Sequence, residues 1–221
     1  DEKLIKKLEI QAVKMRMNLL EMLEPGKVGH LGGSSSAMDI AAALYFYKMK
    51  IFPDNPRDSR RDIFLMSKGH SVPAQYAALA ELGYFDKKEF AKMKTLGGLL
   101  QGHPDMATPG MEAVTGSLGQ GLSIGSGMAY SFLNIDKSDN KVYVMCGDGE
   151  MAEGQLWEAA AFAACTSTEE GDAQYITSGD PIVEGTAEAV GALNFLNDET
   201  TTFTVLDDEV PLNKLAAENL I

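Results

Sequence analysis

Lys141-Val142-Tyr143-Val144-Met145-Cys146-Gly147-Asp148-Gly149-Glu150-Met151-Ala152-Glu153 is the stretch whose reading decides the fold of this chain. Val142 through Met145 are apolar and β-prone, the pattern of a short strand buried on both faces. Gly147-Asp148-Gly149 stops that strand. Beyond Glu150, Met151, Ala152, Leu156, Trp157, Ala160 and Ala161 recur at helical spacing. Strand, Gly-Asp-Gly, helix sets one carboxylate at the carboxyl end of a strand, facing a helix N-terminus. Open α/β sheets receive anionic ligands there. A carboxylate in that place suits a hard cation such as Mg²⁺ or Ca²⁺, which takes oxygen ligands and can clamp a diphosphate. A tight strand-to-helix turn without any ligand can also read Gly-Asp-Gly.

Around this stretch lie 221 residues, enough for one large domain or two small ones with a sizeable core. No run of 18 apolar residues argues for a membrane span, and the charged start, Asp1-Glu2-Lys3, is no signal peptide. Asp1 in place of Met suggests a numbering that begins inside a longer chain. Cys146 and Cys165 sit in apolar runs, as buried thiols of a reducing, cytoplasmic compartment do. The net charge of −13 is unevenly spread: residues 165–221 hold twelve acidic side chains and one basic, Lys214. Neither part has the basic surface of a nucleic-acid binder.

The order of the remaining segments predicts alternating helices and strands, hence an α/β fold with a parallel sheet flanked by helices. Residues 2–24 read as an amphipathic helix with Leu4, Ile5, Leu8, Val13, Met17, Leu20 and Leu23 on its apolar face. Gly29-His30-Leu31-Gly32-Gly33-Ser34-Ser35-Ser36 leads into a helix over Met38 to Tyr47. Asp62 to Ser67 is a buried-strand candidate, with Lys68-Gly69-His70-Ser71 as its exit loop and a helix over Val72 to Leu82. A short helix is predicted over 86–96. Thr115-Gly116-Ser117-Leu118-Gly119-Gln120-Gly121 opens a small-residue helix ending near Leu133; its glycines allow close approach to a ligand or to another helix.

The three histidines, His30, His70 and His103, each follow a glycine in a polar loop. Such pairs are common loop content. Loops that converge on one mouth would instead place imidazoles where they bond phosphates or hydroxyls, or move protons near neutral pH.

Together these loops resemble the amino-terminal, diphosphate-binding domain of transketolase, a thiamine diphosphate enzyme. The matching stretches are Lys27-Val28-Gly29-His30-Leu31-Gly32-Gly33, Met66-Ser67-Lys68-Gly69-His70, Gly102-His103-Pro104-Asp105, the loop from Thr115 to Gly121, and Gly147 to Gly154. They run in family order across residues 8–164 and are most similar to the stand-alone amino-terminal subunits of split transketolases. The resemblance implies thiamine diphosphate as cofactor, with Mg²⁺ or Ca²⁺. It further implies transfer of a two-carbon ketol unit from a ketose phosphate to an aldose phosphate. Asp148 then resembles a metal ligand, with Gly147 and Gly149 admitting the diphosphate. Gly116 and Leu118 resemble the contacts to the aminopyrimidine and thiazolium, and His70 the histidine near the diphosphate. His30 and His103 match those that handle substrate hydroxyls and proton transfer. Glu153 matches an interface carboxylate near the cofactor; it also reads as a first-turn acid suited to the helix dipole. The family's cofactor-activating glutamate lies in a pyrimidine domain not found here, which implies a partner subunit, in a dimer or heterotetramer. Deoxyxylulose-phosphate synthase chemistry fits less well, because the Ser-Lys-Gly-His loop is transketolase-like.

The motifs stop after Ala164. This divides the chain into a domain over 1–164 and an acidic tail, 165–221, that is foreign, diverged, or completes the α/β layer. Where the family has an Asn as second metal ligand stands Ser178, with Asp180 two residues on. Asp180-Pro181 reads more simply as a helix cap followed by Pro at the first helical position. In the tail, Gln174 to Thr177 and Thr200 to Leu206 are predicted strands, with helices over Ile182 to Phe195 and Leu212 to Ile221. A rival expectation is a degenerate, non-catalytic interaction protein whose acidic tail serves a partner.

Overall fold

The computed structural model describes residues 2–24 and 27–166 and, beyond them, four strands; side chains are described as far as residue 163. The chain divides into two compact units. One comprises residues 1–62 and 68–116, the other 63–67 and 117–221.

The first unit is helical. Its frame is α1 (Glu2–Met22), α2 (Leu31–Ser36), α3 (Met38–Ala43) and α4 (Val72–Glu81). A π-helical turn, Leu44–Lys48, extends α3, and the 86–96 segment is a 3₁₀ turn at Lys87–Lys92. Nine of the ten residues of α4 are buried, in keeping with its alanine-rich, all-round apolar sequence. α1 and α3 pack on it.

α1 corrects the expected apolar face. It buries Ala12, Met15, Asn18, Leu19 and Met22, while Ile5, Val13, Met17 and Leu20 are each more than half exposed. The helix carries two apolar stripes. The methionine-leucine stripe is the one that meets α3 and α4, and Asn18 joins it because its amide donates to Glu81 at the end of α4, 2.8 Å away.

The second unit holds the sheet, ordered β1 (Ile63–Met66), β2 (Val142–Cys146), β3 (Ala173–Thr177), β4 (Ile182–Gly185), β5 (Thr202–Val205), β6 (Asp208–Pro211). β1, β2 and β3 run parallel, with Ile63 opposite Val142 and Val142 opposite Ala173. Every residue of β1 and β2 is buried, as their unbroken apolar runs require. α5 (Gln120–Tyr130), extended by a π-helical turn at Ser131–Asp136, packs on β2 and against α6 (Gly154–Thr166). At Gly125 an added Cβ would lie 2.4 Å from the Val144 side chain. Glycine here lets the helix lie directly on the strand, so this part of the glycine-rich segment serves packing against the sheet.

The parallel sheet flanked by helices is present, and the tail extends it antiparallel through β4, β5 and β6. β3 and β5 fall where strands are predicted. Ile182–Gly185 is a strand, not the start of a helix: β-branched Ile182 and Val183 pair with Ile176 and Tyr175 of β3. The predicted helix at 212–221, Ser178, Asp180-Pro181 and the Cys165 side chain lie outside the described residues.

Candidate functional site

In the first unit the chain leaves buried Lys68 for a 3₁₀ turn, Gly69–Ser71, that enters α4 with Pro73 in its first turn. The turn is a hub. α2 docks on it where a Cβ at Gly33 would meet the Ser71 hydroxyl at 2.7 Å, and Lys68 Nζ donates to the Gly33 carbonyl at 3.2 Å. That docking sets His30, at the head of α2, beside His70, with ring centroids 4.7 Å apart and planes tilted by 58°. On its other side, a Cβ at Gly69 would lie 2.4 Å from the Thr115 carbonyl oxygen. Thr115-Gly116 therefore runs against the hub. Gly116 has φ +134°, and an added Cβ would stand 2.4 Å from His103 Cδ2. Two of the three histidines thus lie ring against ring, and the third lies on the glycine of the following loop.

His103 is held by a residue that sequence patterning passes over. Tyr76, fully buried in α4, places its hydroxyl 3.1 Å from the Gln101 carbonyl and 3.2 Å from that of His103. Burial pushes its pKa up to about 12, so the phenol stays a donor throughout the physiological range. In sequence, Tyr76 is one more apolar residue in a buried helix. The hydroxyls of Ser34 and Ser71, both buried, have no hydrogen-bond partner among the described residues, leaving polar capacity at the hub unused.

In the second unit, Ser67 follows the end of β1 and Gly147 the end of β2. A 3₁₀ turn, Gly149–Ala152, precedes α6. Asp148 occupies the cap position, is exposed, and makes no capping hydrogen bond, so its carboxylate is not consumed by the helix. Gly149 faces open space. Leu118 is 40% exposed just before Gly119, whose φ of +83° turns the chain into α5. The Glu153 stem lies under Gly119, where a Cβ would approach it to 2.8 Å.

Glu150 ties these parts together, yet in the sequence it is one acid among several around a turn. It is 1% exposed. Its carboxylate accepts from the Ser67 hydroxyl, from Gly119 N–H at 3.0 Å, and from Gly147 N–H at 2.8 Å. Donors on both backbone corners offset the cost of burying the group.

The second unit's loops fit an anionic cofactor with a cation. The space beside Gly149 is open, and Asp148 offers one exposed carboxylate that caps no helix. Among the described residues no cluster of three or more His, Cys, Asp or Glu could hold a metal unaided. Any ion at Asp148 would take its remaining ligands from phosphate oxygens, backbone, water or residues outside those described. No described helix is long and apolar enough to cross a membrane.

A parallel sheet with glycine-bearing, polar loops at the carboxyl ends of β1 and β2 defines the class: an open α/β cofactor-binding domain. Residues 6–191 match the family model described as transketolase, thiamine diphosphate binding domain, and the chain belongs to that family. The match runs past Ala164, where the recognisable motifs end. Among its relatives is one of the subunits of the apulose-4-phosphate transketolase of Phocaeicola vulgatus, 39% identical over 199 residues, which are 90% of this chain and 70% of that protein. Another is a 6-deoxy-6-sulfo-D-fructose transketolase subunit of Clostridium sp., 47% identical over 157 residues, which are 71% of this chain and 57% of that one. Transketolase from Leishmania mexicana superimposes with a TM-score of 0.69 at 32% identity, over 77% of this chain and 27% of that structure. The chain thus spans 70% of one of these subunits, over half of the other, and about a quarter of the Leishmania enzyme.

Proposed function

We propose that this chain is the diphosphate-binding subunit of a split transketolase. With a pyrimidine-domain partner it transfers a two-carbon ketol unit from a ketose phosphate to an aldose phosphate. The observation that carries the reading is the hub at Gly69–Ser71, which gathers His30, His70 and the Gly116–His103 contact from three separate loops. A packing role alone gives no reason to bring these imidazoles together. Thiamine diphosphate, when bound, supplies the electron sink for cleaving the ketose carbon–carbon bond. The chain supplies position and proton handling. His30 and His103 orient substrate hydroxyls and move protons at their imidazole nitrogens; His70 donates to the diphosphate. Gly116 and Leu118 present backbone and side-chain surface to the cofactor rings. Gly147 and Gly149 let the diphosphate approach the backbone, and Asp148 gives one oxygen ligand to Mg²⁺ or Ca²⁺. Glu153 belongs to the subunit interface beside the cofactor, in a dimer or heterotetramer. A cytoplasmic setting accords with the buried Cys146.

The test is thermal unfolding with and without thiamine diphosphate and Mg²⁺. A ligand selective for the folded chain raises its stability by about 2.7 kcal/mol at a hundred times its Kd. No shift at millimolar cofactor, with or without partner, sinks the reading.

A further inference from the structure

We propose that Glu150 is a positioning residue that fixes the spacing between the Leu118-Gly119 corner and the Gly147–Gly149 turn, so that cofactor rings and metal-bound diphosphate are met together. The proposal rests on the function proposed above. Leu118 and Asp148 arrive on different elements, one leading into α5 and the other leaving β2. A single carboxylate bonds to both: Oε1 accepts from Gly119 N–H at 3.0 Å and Oε2 from Gly147 N–H at 2.8 Å. The Ser67 hydroxyl, at the end of β1, donates to the same Oε1 and sets the carboxylate's rotation. The bonded donors come from strand and loop ends outside the Gly149–Ala152 turn that carries Glu150, and they lie at the corners that bear the candidate cofactor residues. A carboxylate retained only to stabilise the turn would bond within it.

Substituting Gln tests this with little change of shape. An amide must place its NH₂ against one backbone N–H. The NH₂ either faces Gly147 and releases the Asp148 turn, or faces Gly119, with the Ser67 hydroxyl reversing to accept, and releases the Leu118 corner. The experiment is calorimetric titration of the full chain with thiamine diphosphate at saturating Mg²⁺, then with Mg²⁺ at fixed cofactor. Melting of the cofactor-free protein is followed in parallel. Glu150→Gln is expected to weaken cofactor binding about tenfold and to raise the Mg²⁺ requirement. Ser67→Ala, which leaves both backbone bonds in place, is expected to weaken it about threefold, and it decides the matter if Glu150→Gln does not fold. Val144→Ala is the control for lost stability alone. Wild-type affinity in either folded variant, or a loss no greater than in Val144→Ala, overturns the proposal. A wild-type chain that binds no cofactor, alone or with a pyrimidine-domain partner, overturns instead the function on which it rests.

Discussion

A Cβ on Gly116 would stand 2.4 Å from His103 Cδ2 and 3.1 Å from Nε2, at a backbone φ of +134° that L-residues rarely adopt. Gly116→Ala therefore has two effects, strain in the loop and displacement of an imidazole. The strain is worth about 1–3 kcal/mol, read as a lower melting temperature without ligand. Displacement of the ring shows separately, as a changed His103 signal in NMR of the folded variant. Asp148 behaves differently. Its carboxylate is exposed and caps nothing, so Asp148→Asn should leave the cofactor-free stability within about 0.5 kcal/mol of wild type, as surface substitutions do. The same variant should lose the Mg²⁺-dependent part of the stabilisation by thiamine diphosphate. Equal stabilisation of both proteins by cofactor and Mg²⁺ would remove Asp148 from the metal's ligands.

Among the elements, α1 shows where sequence periodicity stops being decisive. A helix bearing two apolar stripes satisfies the amphipathic pattern on either, and only the neighbours choose. Here α3 and α4 choose Met15, Leu19 and Met22. Leu19→Ala should cost about 2–5 kcal/mol, whereas Val13→Lys and Met17→Lys should each fall within about 0.5 kcal/mol, by urea denaturation. Equal losses on both stripes would mean that the exposed face is covered in solution. The α1–α4 contact also carries a charge. Burial raises the Glu81 pKa, but the Lys87 and Asn18 bonds outweigh it and hold the carboxyl below its ordinary 4.5. A folded-state pKa below the unfolded one gives stability that is present above about pH 4.5 and lost as pH falls through the depressed value. Glu81→Gln should therefore flatten the acid limb of a stability–pH curve, leaving a smaller difference between the proteins at the acid end than at pH 7. Strand-turn-helix at Asp148 and the Gly-His loops are legible in sequence because their signals are local. The roles of Tyr76 and Glu150 are not, since their partners lie far along the chain. β4 reads as helix in sequence because pairing with β3, not local propensity, fixes Ile182 and Val183.

At the scale of the whole molecule, order of motifs carries more than any single motif. Five loops in family sequence identify the family, and beyond Ala164 the sheet continues in parallel β3 and then in antiparallel β4, β5 and β6. On the proposed function, the described residues would hold a diphosphate, a cation and substrate hydroxyls. The acid that activates the cofactor ring is assigned by the resemblance to a pyrimidine domain, outside them. The Phocaeicola relative is itself named as a subunit, and this chain covers 70% of it. A split catalyst has a definite kinetic signature. Alone, the chain should bind thiamine diphosphate and Mg²⁺ yet show no ketol transfer above background, since binding energy without the activating group leaves the chemical barrier in place. Adding a pyrimidine-domain subunit should raise activity in proportion to its amount until the two are equimolar, after which the rate levels off. The measurement is a coupled assay of aldose phosphate release under saturating cofactor, with native mass spectrometry reporting the stoichiometry at the break point. Full turnover by the isolated chain would place the activating acid within it, outside the described residues. A break point away from equimolar would reject the paired arrangement in which Glu153 meets the partner.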